Sequence, residues 1–153
     1  MDKFLENIQE AQHIVQTVDH LLYVTFPLIK EKKILIKIVI ELKDAVTKCI
    51  NSILQYEYIY KRVSLYKDPR TNYETFKKCS KWYGISEKEI KSIEDLFRIV
   101  ERHKQSSMEF VKNGKIVILS DDMAHEIITE EKAKEFLALS KSLLLKLKNR
   151  IST

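Results

Sequence analysis

The chain has 153 residues, 44% of them hydrophobic and 32% charged, with a formal charge of +5 from 27 basic and 22 acidic side chains. That length suits one domain with one core, spanning residues 1–153, and the dense Leu, Ile and Val exclude intrinsic disorder. Two Gly and two Pro exclude a fibrous repeat, and two cysteines, Cys49 and Cys79, exclude a disulfide scaffold or a zinc site.

The punctuating residues predict a mainly all-α fold, a bundle of four or five helices with one small β-hairpin inserted before the last helix. A first helix over residues 2–23 carries Leu5, Ile8, Ala11, Val15, Val18 and Leu22 in steps of three and four, and Pro27 is placed to break it. A second, over residues 30–62, keeps the spacing through Leu35, Ile38, Leu42, Ala45, Cys49, Ile53, Tyr56 and Tyr60. At roughly 50 Å it must kink or project at its C-terminal end. After a loop with Pro69, Thr71 and Glu74 are spaced as a capping box for a short helix that ends at Trp82-Tyr83, with Gly84 as its left-handed C′ residue. Ser86 and Glu89 form a second capping box, with Ile85 and Ile90 as hydrophobic staple, for a helix that buries Ile90, Ile93, Phe97 and Val100. Strands at residues 108–112 and 115–119 flank Asn113-Gly114, the strongest short hairpin signal. An acid-rich loop over residues 120–126 follows, and Thr129 caps a last helix with Phe136, Leu137, Leu143, Leu144, Leu147 and Ile151 as its stripe.

No apolar run approaches the roughly 20 residues that cross a bilayer. The N-terminus lacks the basic-then-apolar order of a signal peptide, so a cytoplasmic protein without membrane association is expected. Lys outnumbers Arg 22 to 5, a Lys, Ile and Glu-rich habit found in hyperthermophiles and AT-rich genomes. The positive charge is nevertheless localised. Residues 61–81 hold seven bases (Lys61, Arg62, Lys67, Arg70, Lys77, Lys78 and Lys81) against Asp68 and Glu74, which equals the net charge of the whole chain. Tyr56, Tyr58, Tyr60, Tyr66 and Tyr73 interleave with them, as on a surface that stacks bases and neutralises phosphates. The bland alternative has Tyr56 and Tyr60 continuing the core seam while the lysines are solvated.

One constellation points to chemistry, Arg98-Ile-Val-Glu-Arg-His103. Histidine exchanges a proton near neutral pH and arginine stabilises charge on a phosphate, a pairing suited to metal-free RNA cleavage through the ribose 2′-hydroxyl. Arg98 would hold the scissile phosphate, His103 would act as general acid or base, and Arg102 would assist. Five positions on a helix are about 500° of rotation, which leaves the two side chains roughly 140° apart. They converge only if the helix loosens before His103 or a second subunit completes the site. Against this stands a plain structural role, in which Arg98 pairs with Glu94 and His103 borders the core.

Helices with an Arg-x4-His hexapeptide late in the penultimate long one, followed by a final amphipathic helix, resemble the HEPN superfamily. The likeness spans about residues 30–153, and its matching positions are Arg98 and His103. The resemblance implies a four-helix bundle, usually a homodimer, whose paired motifs line a cleft. In many members it also implies metal-independent endoribonuclease activity with no cofactor, and in others nucleotide binding or no activity. Active members commonly carry Asn or Asp after the arginine, where this chain has Ile99, and the basic segment between helices two and three is long. The expected partners are a second copy, RNA and a regulatory protein. A non-catalytic dimerisation module is the alternative. The remaining polar candidates point elsewhere: His13 and His20 sit half-buried beside the first seam, Asp121 and Asp122 suit loop or capping roles, Cys49 lies on the buried seam, and Cys79 is partly exposed.

Overall fold

The computed structural model describes residues 2–106, 108–119 and 125–151. Among them the elements run α1 (Lys3–His20), α2 (Phe26–Ile29), α3 (Lys33–Ile59), α4 (Pro69–Ser80), α5 (Glu87–Lys104), β1 (Met108–Lys112), β2 (Lys115–Leu119), β3 (His125–Ile128) and α6 (Glu130–Ile151). The fold is mainly α, with a small antiparallel sheet inserted before the last helix. The central α3 packs against α1, α4, α5 and α6.

The first helix buries the expected stripe, except that Phe4 faces inward and Leu5 outward. Pro27 does not end it. Leu21–Thr25 form a π turn that leads directly into the single turn of α2. The turn widens the backbone just where a regular helix would set the proline ring against the carbonyl of residue 23. Lys30, with φ of 55°, is the actual stop. The next helix, α3, is also shorter than its periodicity suggested, with 27 residues and a length of about 40 Å. It closes in a Schellman motif: Lys61 N–H donates to the Tyr58 carbonyl and Arg62 N–H to that of Glu57, with Lys61 left-handed at φ 60°. The chain turns back there, so Tyr60 is exposed and Glu57 takes the buried place.

Helix α4 starts earlier than expected. Asp68 is its N-cap, accepting from Arg70 N–H at 3.2 Å and from the Thr71 hydroxyl at 2.9 Å, and Pro69 fills the first helical position. The Thr71–Glu74 box does not form. Gly84 at φ 73° closes the following turn as C′, with Ile85 N–H donating to the Ser80 carbonyl. The Ser86–Glu89 box forms in both directions at 3.1 Å, ahead of a helix that buries Ile93, Leu96, Ile99 and Val100 while Phe97 stays half-exposed.

Strands β1 and β2 pair around Asn113 and Gly114, both left-handed as a type I′ turn requires. A third strand, β3, adds to β2 where the end of a loop over residues 120–126 was expected; residues 120–124 of that loop, with Asp121 and Asp122, lie outside the described residues. One sheet face presents Ile116, Ile118 and Ile128 to the core, together with Glu109 and Glu126. The Thr129 hydroxyl then accepts from Lys132 N–H at 3.0 Å to start α6.

Candidate nucleic-acid interface

Helix α5 stays regular through Lys104, so nothing brings Arg98 and His103 together within one chain. They line separate hollows. His103 borders a cavity of about 370 Å³ with Ile36, Phe110, Val111 and Ile116, beside the edge strand β1. Its Nδ1 makes a close hydrogen-bonding contact with the carboxylate of Glu109 on that strand. Arg98 turns the other way: Nη1 donates to Asp95 at 2.8 Å and Nε to Glu126 of β3 at 2.7 Å. Those hydrogen bonds, Glu126 first and Asp95 second, hold its guanidinium more firmly protonated than usual. Arg102, one turn along, points its Nε at the same Glu126 oxygen at 3.3 Å. The expected Glu94–Arg98 pair is absent, and Glu94 accepts instead from the Tyr73 hydroxyl at 3.0 Å. Two strand carboxylates thus anchor the sheet to α5, Glu126 through Arg98 and Arg102 and Glu109 through His103.

The basic segment divides in two. Arg62, itself exposed, covers a buried carboxylate, because its Nε pairs with Glu57, which is fully shielded from solvent. Lys77 lies near Glu74 at 3.7 Å and Glu94 at 3.9 Å, over the Tyr73 ring. The other bases, Lys61, Lys67, Arg70, Lys78 and Lys81, are exposed and pair with no carboxylate among the described residues. Arg70 and Lys77, seven positions apart, share one face of α4, opposite the buried Phe76 and Cys79.

Between α3, α4 and α5 lies an open cleft of about 810 Å³. Its floor includes Tyr73 and Phe97, with ring centroids 6.3 Å apart, and its walls carry Lys43, Arg70 and Arg98 with Thr47, Asn51 and Glu101. Lys43 Nζ lies 5.9 Å from the centroid of the Phe97 ring. Burial and the Glu94 hydrogen bond push the Tyr73 phenol up, which keeps the ring neutral. The cleft joins the Arg70 end of the basic segment to Arg98 of the hexapeptide, two features the sequence presents as separate. Lys43, Asn51 and Phe97 went unread as site residues, since Lys43 and Asn51 look like solvated positions of a long helix and Phe97 like core.

The remaining described candidates do not line the cleft. Cys49 and Cys79 are both buried, correcting the partial exposure expected of Cys79, and burial pushes their thiols up to about 12 and about 11. His13 and His20 are exposed rather than half-buried. Among the described residues no three His, Cys, Asp or Glu side chains gather as a metal site, and no helix is long and apolar enough to cross a membrane. Comparison with protein-family models, curated proteins and solved structures gives no match.

Proposed function

We propose that this chain is a HEPN-like helical protein that binds single-stranded RNA in the cleft between α3, α4 and α5. The observation that carries the reading is the composition of that cleft, two half-buried aromatic rings flanked by Lys43, Arg70 and Arg98. A base stacks on a ring whatever its identity, and the cations neutralise the adjoining phosphates. The volume falls within the about 300–1,000 Å³ of small-ligand clefts. Lys67, Lys78 and Lys81, exposed on and beside α4, extend the positive surface along a strand's path.

Cleavage is a separate matter. Arg98 and His103 of one chain cannot reach one phosphate, so metal-independent cleavage by this pair requires a second copy that sets its His103 beside this Arg98. Binding does not need that copy. A labelled uridine oligonucleotide titrated at increasing salt tests the reading. Affinity should fall with a log–log slope of about −0.7 per phosphate contacted. Lys43→Glu with Arg70→Glu should weaken binding at least roughly tenfold, about 1.4 kcal/mol, and flatten that slope. Absence of affinity even at low salt would remove the reading. Incubation of the same RNA in excess EDTA, wild type against His103→Ala, decides cleavage.

One feature favours the alternative, a protein-interaction module. The outer sheet face carries Met108, Phe110, Val117, Leu119 and Ile127, with Met108, Phe110 and Ile127 exposed. An antiparallel sheet with a solvated face ordinarily places polar residues there.

A further inference from the structure

The Glu126 carboxylate rests on two arginines in the way a phosphate would. A single oxygen accepts from Arg98 Nε at 2.7 Å and lies 3.3 Å from Arg102 Nε, and the two guanidiniums stand one helical turn apart on the same face of α5. Guanidinium N–H groups donate to carboxylate and phosphate oxygens alike, here one Nε from each arginine to one shared oxygen. Arg98 also lines the aromatic cleft, so the fork continues the path of a strand bound there. The carboxylate comes from β3, a strand of four residues that pairs on one side only, with β2.

We propose that the Arg98–Arg102 fork is a second phosphate subsite, held by Glu126 in the ligand-free chain and taken over by a phosphodiester when RNA occupies the cleft. This rests on the RNA reading above. The exchange replaces one anion by another on the same two cations, so no guanidinium is left without a partner. Asp95 holds Arg98 through Nη1 throughout, which keeps its Nε aimed at the subsite. Displaced from the fork, Glu126 turns to solvent and β3 loses the ion pairs that tie it to α5. RNA binding and loosening of β3 are therefore one event.

The test uses the full chain and a single-stranded uridine oligonucleotide. In Glu126→Gln the fork loses the carboxylate that its two Nε atoms share, and RNA affinity should rise several-fold with a salt slope steeper by about 0.7, one more phosphate contact. Adding Arg102→Ala to that variant should return both to the wild-type values. In the wild type, saturating RNA should speed hydrogen exchange at the amides of residues 126–128. Because the Gln variant could detach the sheet by itself, this arm on the unmodified protein stands independently. RNA binding that depends on Lys43 and Arg70, yet leaves Glu126→Gln at wild-type affinity and β3 exchange unchanged, would overturn the subsite while sparing the RNA reading. No RNA affinity in either the wild type or Glu126→Gln would overturn both.

Discussion

Glu57 is the residue on which the C-terminal end of α3 turns. It is wholly buried, yet it accepts from the Tyr83 hydroxyl at 2.9 Å, from Arg150 Nε at 2.9 Å and from Arg62 Nε. Burial by itself would raise its pKa, but the hydrogen bonds from Arg62, Arg150 and Tyr83 outweigh it and hold the carboxyl below its ordinary 4.5. A depressed folded value means that the group's contribution is complete above the unfolded pKa and fades as pH falls through the folded one. Glu57→Gln should therefore cost on the order of 3 kcal/mol at neutral pH, where it leaves two arginines facing an amide, and the gap to wild type should narrow in acid. Urea melts across that range measure it, and a gap independent of pH would mean that Glu57 stays ionised throughout or acts only by shape. The position was legible: Glu57 follows Ile53 by four and Leu54 by three, squarely on the apolar stripe. A glutamate on a stripe reads as an interruption until its partners are known, and Tyr83 and Arg150 lie 26 and 93 residues away.

Among the elements, those whose ends are fixed by local chemistry were the ones the sequence described. The Ser86–Glu89 box, Gly84 as C′ and the Asn113-Gly114 turn each depend on groups within about five residues, and each formed. At Asp68-Pro69 two local signals competed, and the one with a proline preset for the first helical position prevailed over Thr71–Glu74. The end of α3 shows the opposite case. Lys61 occupies a left-handed C′ position that glycine fills without strain, and an L-residue there costs about 1 kcal/mol or more. Lys61→Gly should raise thermal stability by up to about 1 kcal/mol, less the added chain entropy of the unfolded state. A lowered melting temperature would mean that the Lys61 side chain contributes to this end of the helix.

At the scale of the molecule, the sheet is the element whose outer surface lacks an account in the RNA reading. Its inner face joins the core and its carboxylates grip α5, while its outer face carries Met108, Phe110, Val117, Leu119 and Ile127 beside Lys112, Lys115 and His125. If that face joins two copies, Phe110→Lys with Ile127→Lys should shift the protein from dimer to monomer in sedimentation equilibrium and leave the helical circular dichroism intact. Unchanged mass for both proteins would remove the face from the assembly. RNA affinity measured on the same pair of proteins separates the two functional readings, because neither Phe110 nor Ile127 lines the cleft.

The sequence by itself determined the mainly α fold, the stripes that form the core, the hairpin and the placement of the basic segment. All of these follow from periodicity and from caps that act over a few residues. Tertiary structure decided what the charged residues do. Whether an arginine faces solvent, a phosphate or a buried glutamate depends on which carboxylates the fold brings within 3–4 Å, and those carboxylates come from distant segments. Arg62 became structural through Glu57, and Arg98, Arg102 and His103 met Glu126 and Glu109 of a sheet whose third strand the sequence concealed. Only packing of α3, α4 and α5 put Lys43, Arg70 and Arg98 around the same two aromatic rings, because a cleft is a property of surfaces that meet.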